Sequence, residues 1–395
     1  MGNLVLAGAT SGSTTITPTD AVTATLTLPS TTGTLGLASG SATQSINAQN
    51  TFGFKNRIIN GGMTIDQRNA GASVSVSTSG VYVLDRWKNR ANGGGVYSVQ
   101  QSSTAPAGFT NSSLYTVTTA DSSIAASDNY WIIQEIEGYN VADLGFGTSD
   151  AKTVTFSFWV RSSVTGTFNV ALSNGTTYDR SYVTTYTINS ANTWEQKSVT
   201  IAGDTSGTWG KTNGGGITVV FTLGTGTDYQ TTANTWVSGF KHSTAGSTNL
   251  IATNGATFYI TGVQLEVGTQ ATSFDFRDYT RELQMCQRYY YGYVSSSNKL
   301  VGRGGYYSAT QVEVAIFFPT TMRTMPTLVA TSGTNYYAVY RGGGSNNINS
   351  LTLNGEGSGG SVSVYNATEA SGTIGYAGVL VTNNTSSSVA FNSEL

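Results

Sequence analysis

Residues 257–292, TFYITGVQLEVGTQATSFDFRDYTRELQMCQRYYYG, decide how the rest of the chain is read. The first part alternates as a strand. Tyr259, Thr261, Val263, Leu265 and Val267 fall on one face, Phe258 and Ile260 on the other. The apolar set changes sides at Gly262, which predicts a β-bulge that re-aims the strand. Gly268 and the polar run to Ser273 then end it. After that the period lengthens. Tyr279, Leu283, Cys286 and Tyr290 fall at i, i+4, i+7 and i+11, one face of a helix. Asp278 can cap it, Glu282 and Arg288 suit its two ends, and Gly292 can close it. A connecting helix is therefore predicted over 279–292.

Both flanks of this stretch are β-rich. Upstream, TVTFSFWVR (153–161) places Val154, Phe156, Phe158 and Val160 on one face and Thr155, Ser157, Trp159 and Arg161 on the other. YWIIQEIE (130–137) is a dense apolar strand, and FNVAL, NTWEQKSVTIAG and ITVVFTLG continue the series. Many strands at turn-separated intervals, with no helices between them, predict a β-sandwich or jelly roll over 51–278. Downstream, Val312, Val314, Ile316 and Phe318 alternate, and a Tyr-rich strand (Tyr336, Tyr337, Tyr340) leads into RGGGSNNINS. VSVYNAT, IGYAGVLVT and VAFNSEL complete a smaller β-sandwich over 293–395. No repeat of 20 to 50 residues is visible, which argues against a parallel β-helix. In residues 1–50, Ala24, Leu26 and Leu28 alternate with threonines, but one such strand has too little apolar surface to offset its ordering entropy. This segment is either a disordered arm or a set of strands that wraps with copies of itself or docks on a larger partner.

Composition narrows the function. Only 10% of the 395 residues are charged, against about 25% in an ordinary globular protein. A net charge of −2 and the lack of a basic run give no electrostatic basis for nucleic-acid binding. With 48 glycines, 5 prolines, 22 tyrosines and abundant Ser and Thr, the expected surface is neutral, hydroxyl-rich and aromatic, suited to neutral polar partners. The single cysteine, Cys286, excludes an intrachain disulfide framework. No apolar run reaches membrane-spanning length, and the opening MGNLVLAGATSG lacks the features of a secretory signal. Assembly in the cytoplasm followed by release on lysis is the matching expectation, although a cytoplasmic protein would look the same.

The strand VQLEVG (263–268), the aromatics and Arg of 274–277, and ExxxCQRYY (282–290) together resemble a module of bacteriophage tail-fibre and receptor-binding proteins. DRW (85–87) and IEGYNVADLGFGT (136–148) extend the resemblance, and 318–326 is similar to terminal domains of phage fibres. The strand series also resembles jelly-roll carbohydrate-binding modules: N-x-x-x-N-G (56–61), S-F-W-V-R (157–161), T-W-E (193–195) and F-Y-I-x-x-V-x-L (258–265). Much of that family carries Asp at the two middle positions of the last motif, one of them helping to bind calcium. Here they are Thr261 and Gly262, so the resemblance implies the fold but not the calcium.

Typical catalytic and metal groups are sparse. His242, the single histidine, sits in SGFKHSTAGS and reads as an exposed loop residue, and one His with one Cys does not make a typical zinc site. No metal or cofactor is expected. Glu135 and Glu137 share a strand face about 7 Å apart, within the range of glycosidase carboxylates. Trp131 and Ile133 alternate onto that same face. The other reading of the pair is solvated or Arg-paired carboxylates. Trp159 is a large aromatic on a face otherwise made of Thr155, Ser157 and Arg161. A flat indole among hydrogen-bonding groups suits the C–H face of a sugar, unless a loop or another subunit covers it.

Trp159, Ser157, Arg161, Trp131, Glu135 and Tyr340 are thus the ligand-binding candidates, with Trp209, Tyr229 and Trp236 as loop aromatics of lesser weight. Trp87 and Trp194 are expected to pack in the core. Met285 and Tyr289 add apolar surface beside the helix stripe and, with Leu26 and Leu28 of the arm, predict an oligomer interface. The resemblance implies a trimer. It also implies a fibre protein in the virion, its arm contacting tail, baseplate or capsid proteins. That protein would bind host polysaccharide or lipopolysaccharide without cutting it and without membrane insertion. A capsid-decorating fibre or spacer and a tailspike-type glycan hydrolase are the alternatives.

Overall fold

The computed structural model describes residues 4–7, 13–16, 54–175, 177–355 and 357–395. Leu26 and Leu28 lie outside them. The chain forms two units, Met1–Ser45 and Ile46–Leu395. In the first, β1 (Leu4–Ala7) and β2 (Ser13–Ile16) pair antiparallel, Leu4 opposite Ile16.

The second unit opens with a two-sheet β-sandwich. Its strands are β3 (Val74–Val76), β4 (Ser79–Tyr82), β5 (Lys88–Asn92), β6 (Val96–Ser102), β7 (Ser112–Thr119), β8 (Asn129–Glu137) and β9 (Val154–Ser162). These are followed by β10 (Gly166–Asn174), β11 (Arg180–Ile188), β12 (Glu195–Ile201), β13 (Gly215–Thr225), β14 (Trp236–Ser238) and β15 (Thr257–Val267). One sheet has the order β14-β11-β10-β13-β8-β5-β4 and the other β12-β9-β15-β7-β6-β3. All the named pairs are antiparallel, and the inward faces meet in one apolar core. Val154, Phe156, Phe158 and Val160 of β9 lie in it as the alternation requires, as does Trp87.

The bulge predicted at Gly262 is present. Thr261 pairs with Trp159 and Gln264 with Ser157, so two residues of β15 stand opposite one of β9. The extra residue lets Phe258 and Ile260 before the bulge, and Val263, Leu265 and Val267 after it, all enter the same core. Gly262 has a φ of 59°, and a Cβ there would lie 2.7 Å from Phe109 Cζ and 3.0 Å from Trp159 Cδ1. Both observations call for glycine.

The helix is shorter than expected: α1 spans Tyr279–Gln287, capped by Asp278 Oδ1 accepting from Arg281 N at 3.0 Å. Tyr290 already belongs to β16 (Tyr290–Ser295), because the run of three tyrosines favours a strand and finds one to pair with. Tyr279, predicted on the buried stripe, is exposed. The remaining strands are β17 (Leu300–Tyr306), β18 (Val312–Phe317), β19 (Thr327–Ala330), β20 (Tyr337–Arg341), β21 (Gly344–Ile348), β22 (Thr352–Leu353), β23 (Ser361–Asn366), β24 (Ala377–Thr382) and β25 (Ser388–Asn392). They form a three-stranded sheet, β16-β25-β19, and a seven-stranded one, β21-β20-β24-β17-β18-β23-β22, over a second core that includes Val301, Val314, Val339, Leu380 and Phe391.

A buried polar seam joins the two cores. Arg86 and Arg68 both pair with Glu394, and the Arg86 guanidinium lies 3.6 Å from the centroid of the Tyr289 ring. Arg288 and the Tyr289 hydroxyl donate to Glu137. Arg323 donates to the carbonyls of Asn213, Ser393 and Glu394. Tyr289 is therefore wholly enclosed by its own chain (0% exposed) and is not free to form an oligomer interface. Met285 packs beside it, partly buried against the cluster of Ile59, Ile65, Cys286 and Tyr289.

Candidate functional site

Both sandwich sheets have an outward face, and five of the six predicted ligand residues are divided between them. Trp131 and Glu135 lie on β8, outside the seven-stranded sheet, while Trp159, Ser157 and Arg161 lie on β9, outside the six-stranded one. Tyr340 is on β20 in the C-terminal sheet, partly exposed. The fold does not bring the three groups together.

The seven-stranded face is covered by its own chain. Trp131 is only 6% exposed and packs with Ile133, Ala171, Val183 and Val220 under Phe240. The covering segment is pinned to the strands: Ser181 Oγ donates to Gly239 O at 2.7 Å, and Asn169 Oδ1 accepts from Ser243 Oγ at 3.1 Å. His242, expected in an exposed loop, lies inside this cover at 0% exposure, its ring 4.9 Å from Tyr229 and 5.0 Å from Phe240. Neither ring nitrogen has a hydrogen-bond partner among the described residues. Burial, with the charges of Arg90 and Lys241 nearby, holds its pKa down to about 3. At the other end of this face, Lys88 reaches Glu135 at 3.2 Å and Leu395 O at 3.3 Å. Trp131 is thus part of the packing, because a polar, Gly-bearing segment folds back over it, and Glu135 is taken up at the other end by Lys88. No alternation within β8 could reveal that.

The six-stranded face is covered in its centre and open at its sides. Segment 268–277 turns back over β15. Glu266 accepts from Thr272 N (2.8 Å) and Oγ1 (2.6 Å), Gln264 Oε1 from Asp275 N (2.8 Å), and Gly268 O from Thr155 Oγ1 (2.9 Å). Ser157 is left 4% exposed beneath it and cannot reach a ligand.

Aromatic side chains border this cover. On one side Arg161 lies 4.9 Å from the Tyr259 ring centroid, held by its Nε donating to Asn192 O at 2.8 Å. Trp194, expected in the core, is instead half-buried edge-on to Tyr259 at 6.0 Å. Trp159 is half-buried beside Gly262. On the other side of Gly262 stands Phe109, with ring centroids 5.1 Å from Phe274 and 5.2 Å from Phe276; the last two are 4.8 Å apart. Among the remaining loop aromatics, Trp209 is buried against Phe146 and Trp236.

The three phenylalanines wall a pocket of about 180 Å³, completed by Asn56, Gly61, Gly62, Thr64, Gly108, Thr110, Asp275, Arg277 and Glu282. Gly61 has no room for a side chain: a Cβ would meet Val263 O at 2.2 Å. Arg277 locks the strand-like 56–58 segment, donating to Ile58 O at 2.9 Å and to Asn56 O, and it pairs with Glu282 at 3.3 Å. In the sequence, Phe274 and Phe276 stand out only as part of the 274–277 motif. Their i, i+2 spacing in a polar extended run was the available signal, whereas Phe109 is 165 residues away and gave none.

No protein-family model matches the chain, and no curated protein does. Among solved structures, a putative sugar binding protein from Bacteroides thetaiotaomicron VPI-5482 is similar at 13% identity and TM-score 0.33, over 54% of this chain and 100% of that one. The family 11 carbohydrate-binding module from Clostridium thermocellum is similar at 10% identity and TM-score 0.28, over 50% and 98%. The enzymatically active domain of bacteriophage CBA120 tailspike protein 4 is similar at 12% identity and TM-score 0.28, over 54% of this chain; the match spans about a fifth (21%) of that domain's chain. Likeness at these TM-scores adds nothing to the site, which rests on its own geometry.

Proposed function

We propose that this protein binds neutral glycans without cutting them, as the receptor-binding part of a phage fibre in the virion. The observation that carries the binding is the half-buried Trp159 next to Gly262 and Phe109, flanked by Tyr259, Arg161 and Trp194 on a chain with few charges. Flat rings bordered by hydrogen-bonding groups take up the C–H faces of sugars, and a neutral surface does not repel an uncharged polymer. The non-cleaving part is supported by the carboxylate pair: Glu137 is engaged by Arg288 and Tyr289, and Glu135 by Lys88. The phage assignment is supported by the resemblance of 263–290 to fibre proteins.

The test is an array of bacterial surface polysaccharides probed with the full chain, with polymer length measured after incubation. Selective retention with unchanged length is expected. No retention, or shortened polymer, would overturn the reading. The trimer remains part of the proposal, supported by the resemblance and by the apolar alternation of Ala24, Leu26 and Leu28. Light scattering should give three times the 41.3 kDa chain mass, and a monomer at micromolar concentration would refute the assembly.

A further inference from the structure

Trp159 offers one flat surface, whereas the neighbouring pocket is a cup. Phe109, Phe274 and Phe276 stand at tilted or edge-on angles to one another, with interplanar angles of 67°, 38° and 75°, so they present apolar surface from more than one direction. At about 180 Å³ the space is smaller than the roughly 300–1,000 Å³ of sites that enclose a drug-sized ligand. It holds one ring or one substituent, not a run of sugars.

The charged lining groups do not call for an ion. Arg277 and Glu282 neutralise each other, and the Arg277 side chain is 5% exposed. Asp275 Oδ2 accepts from Asn56 N at 3.2 Å and lies 3.7 Å from the same Arg277; its side chain is 30% exposed, and Thr64 and Thr110 add hydroxyls to the lining. A fully hydroxylated ring pushed among three phenylalanines would lose water from hydroxyls that no group there replaces. A methyl group loses nothing, and the hydroxyls of the same sugar can meet the rim.

We infer that this pocket seats the methyl-bearing substituent of a single sugar ring, at a chain end or on a branch of the glycan. The shared chemistry is a methyl group on a polar ring, either the acetyl methyl of an N-acetylated hexose or the C6 methyl of a 6-deoxy hexose. This inference rests on the glycan-binding reading above and adds a second contact beside Trp159.

The experiment uses the full chain and three probes: the methyl glycosides of N-acetylglucosamine, rhamnose and glucose. Binding is measured by saturation-transfer NMR and calorimetry for the unmodified protein, Phe276→Ser and Trp159→Ala. Phe276 is 63% exposed, so its replacement should leave the fold intact. One or both methyl-bearing sugars should bind at least about fourfold more tightly than the glucoside, the value of one buried methylene. Which one does so identifies the substituent. Phe276→Ser should abolish that preference.

Equal binding of all three sugars, or a preference that survives Phe276→Ser, would overturn the inference. So would a fall in oligomer mass with Phe276→Ser, which would show that the cup seats another copy of the chain. A protein that binds polysaccharide through Trp159 but ignores all three monosaccharides would refute the pocket and leave the wider reading standing. A failure to bind any polysaccharide would refute the wider reading, while the monosaccharide panel would still judge the pocket.

Discussion

Arg288 grips Glu137 with two parallel hydrogen bonds, 2.8 Å from Nε and 2.6 Å from Nη2, closing a fork between the end of α1 and the end of β8. Glu137 is almost fully buried, so removing its partner would strand a charge in the seam. Loss of one member of a buried pair costs about 3–5 kcal/mol, and the partial exposure of Arg288 reduces this to about 2 kcal/mol. Arg288→Ala should lower the denaturant midpoint accordingly and leave glycan affinity unchanged. A glycan-shortening activity that vanishes with Glu137→Gln while stability holds would show instead that the carboxylate is chemical.

Gly262→Ala should damage fold and binding together. An L-residue at a φ of 59° costs about 1–2 kcal/mol, and the new methyl would overlap Phe109 and crowd Trp159. A lower melting temperature with altered Trp159 fluorescence is expected. A substitution that changes neither would show that the two rings do not rest on this residue.

Trp159→Ala should weaken binding to the polysaccharide best retained on the array while the circular dichroism spectrum stays the same. Aromatic contact beyond plain burial is worth about 0.5–1.5 kcal/mol, a several-fold change in Kd. Unaltered affinity in titration calorimetry would remove Trp159 from the site.

Acid should loosen the cover on the seven-stranded sheet. His242 has a folded pKa of about 3, below its ordinary 6.5, so the unfolded chain takes up the proton first as pH falls. Its contribution is complete above pH 6.5 and is lost between there and about 3, by up to about 1.4 kcal/mol per pH unit. Asp85 works in the opposite sense: burial pushes it up to about 7, so its contribution declines as pH rises toward that value. The difference between the unmodified protein and His242→Phe isolates the histidine. Melting temperatures measured from pH 7 to 4 should fall more steeply for the unmodified protein, and parallel curves would rule this out.

The sequence was most informative where a pattern stays within one strand. The β9 alternation placed four core residues correctly, and the switch of apolar sides around Gly262 located the bulge. It was least informative where a segment returns over a sheet from a distance. Trp131 and Trp159 look alike in sequence, each a tryptophan on its strand's outward face. The difference between them is that residues 239–247 cover one and 268–277 stop short of the other. Tyr290 departs from the helical stripe for a related reason, since pairing with β25 turns the chain into a strand there, and Tyr289 just before it is enclosed by Arg86 and Glu137 from far along the chain. Trp194 and Phe109 belong to loops whose positions depend on strands far along the chain, and no local period encodes that.

The pairing of Arg86 with Glu394 links residues 308 positions apart. A ribosome adding about 5–20 residues per second takes roughly 15–60 s to travel that distance. Throughout that time the first sandwich would hold a guanidinium with no counter-charge at the place where its core is due to close. The nascent molecule therefore has reason to remain open along this seam until Glu394 emerges, and a product truncated before it would carry the defect permanently. A stop codon placed before Glu394 should thus destabilise a sandwich 308 residues upstream, through the one charge it removes from Arg86.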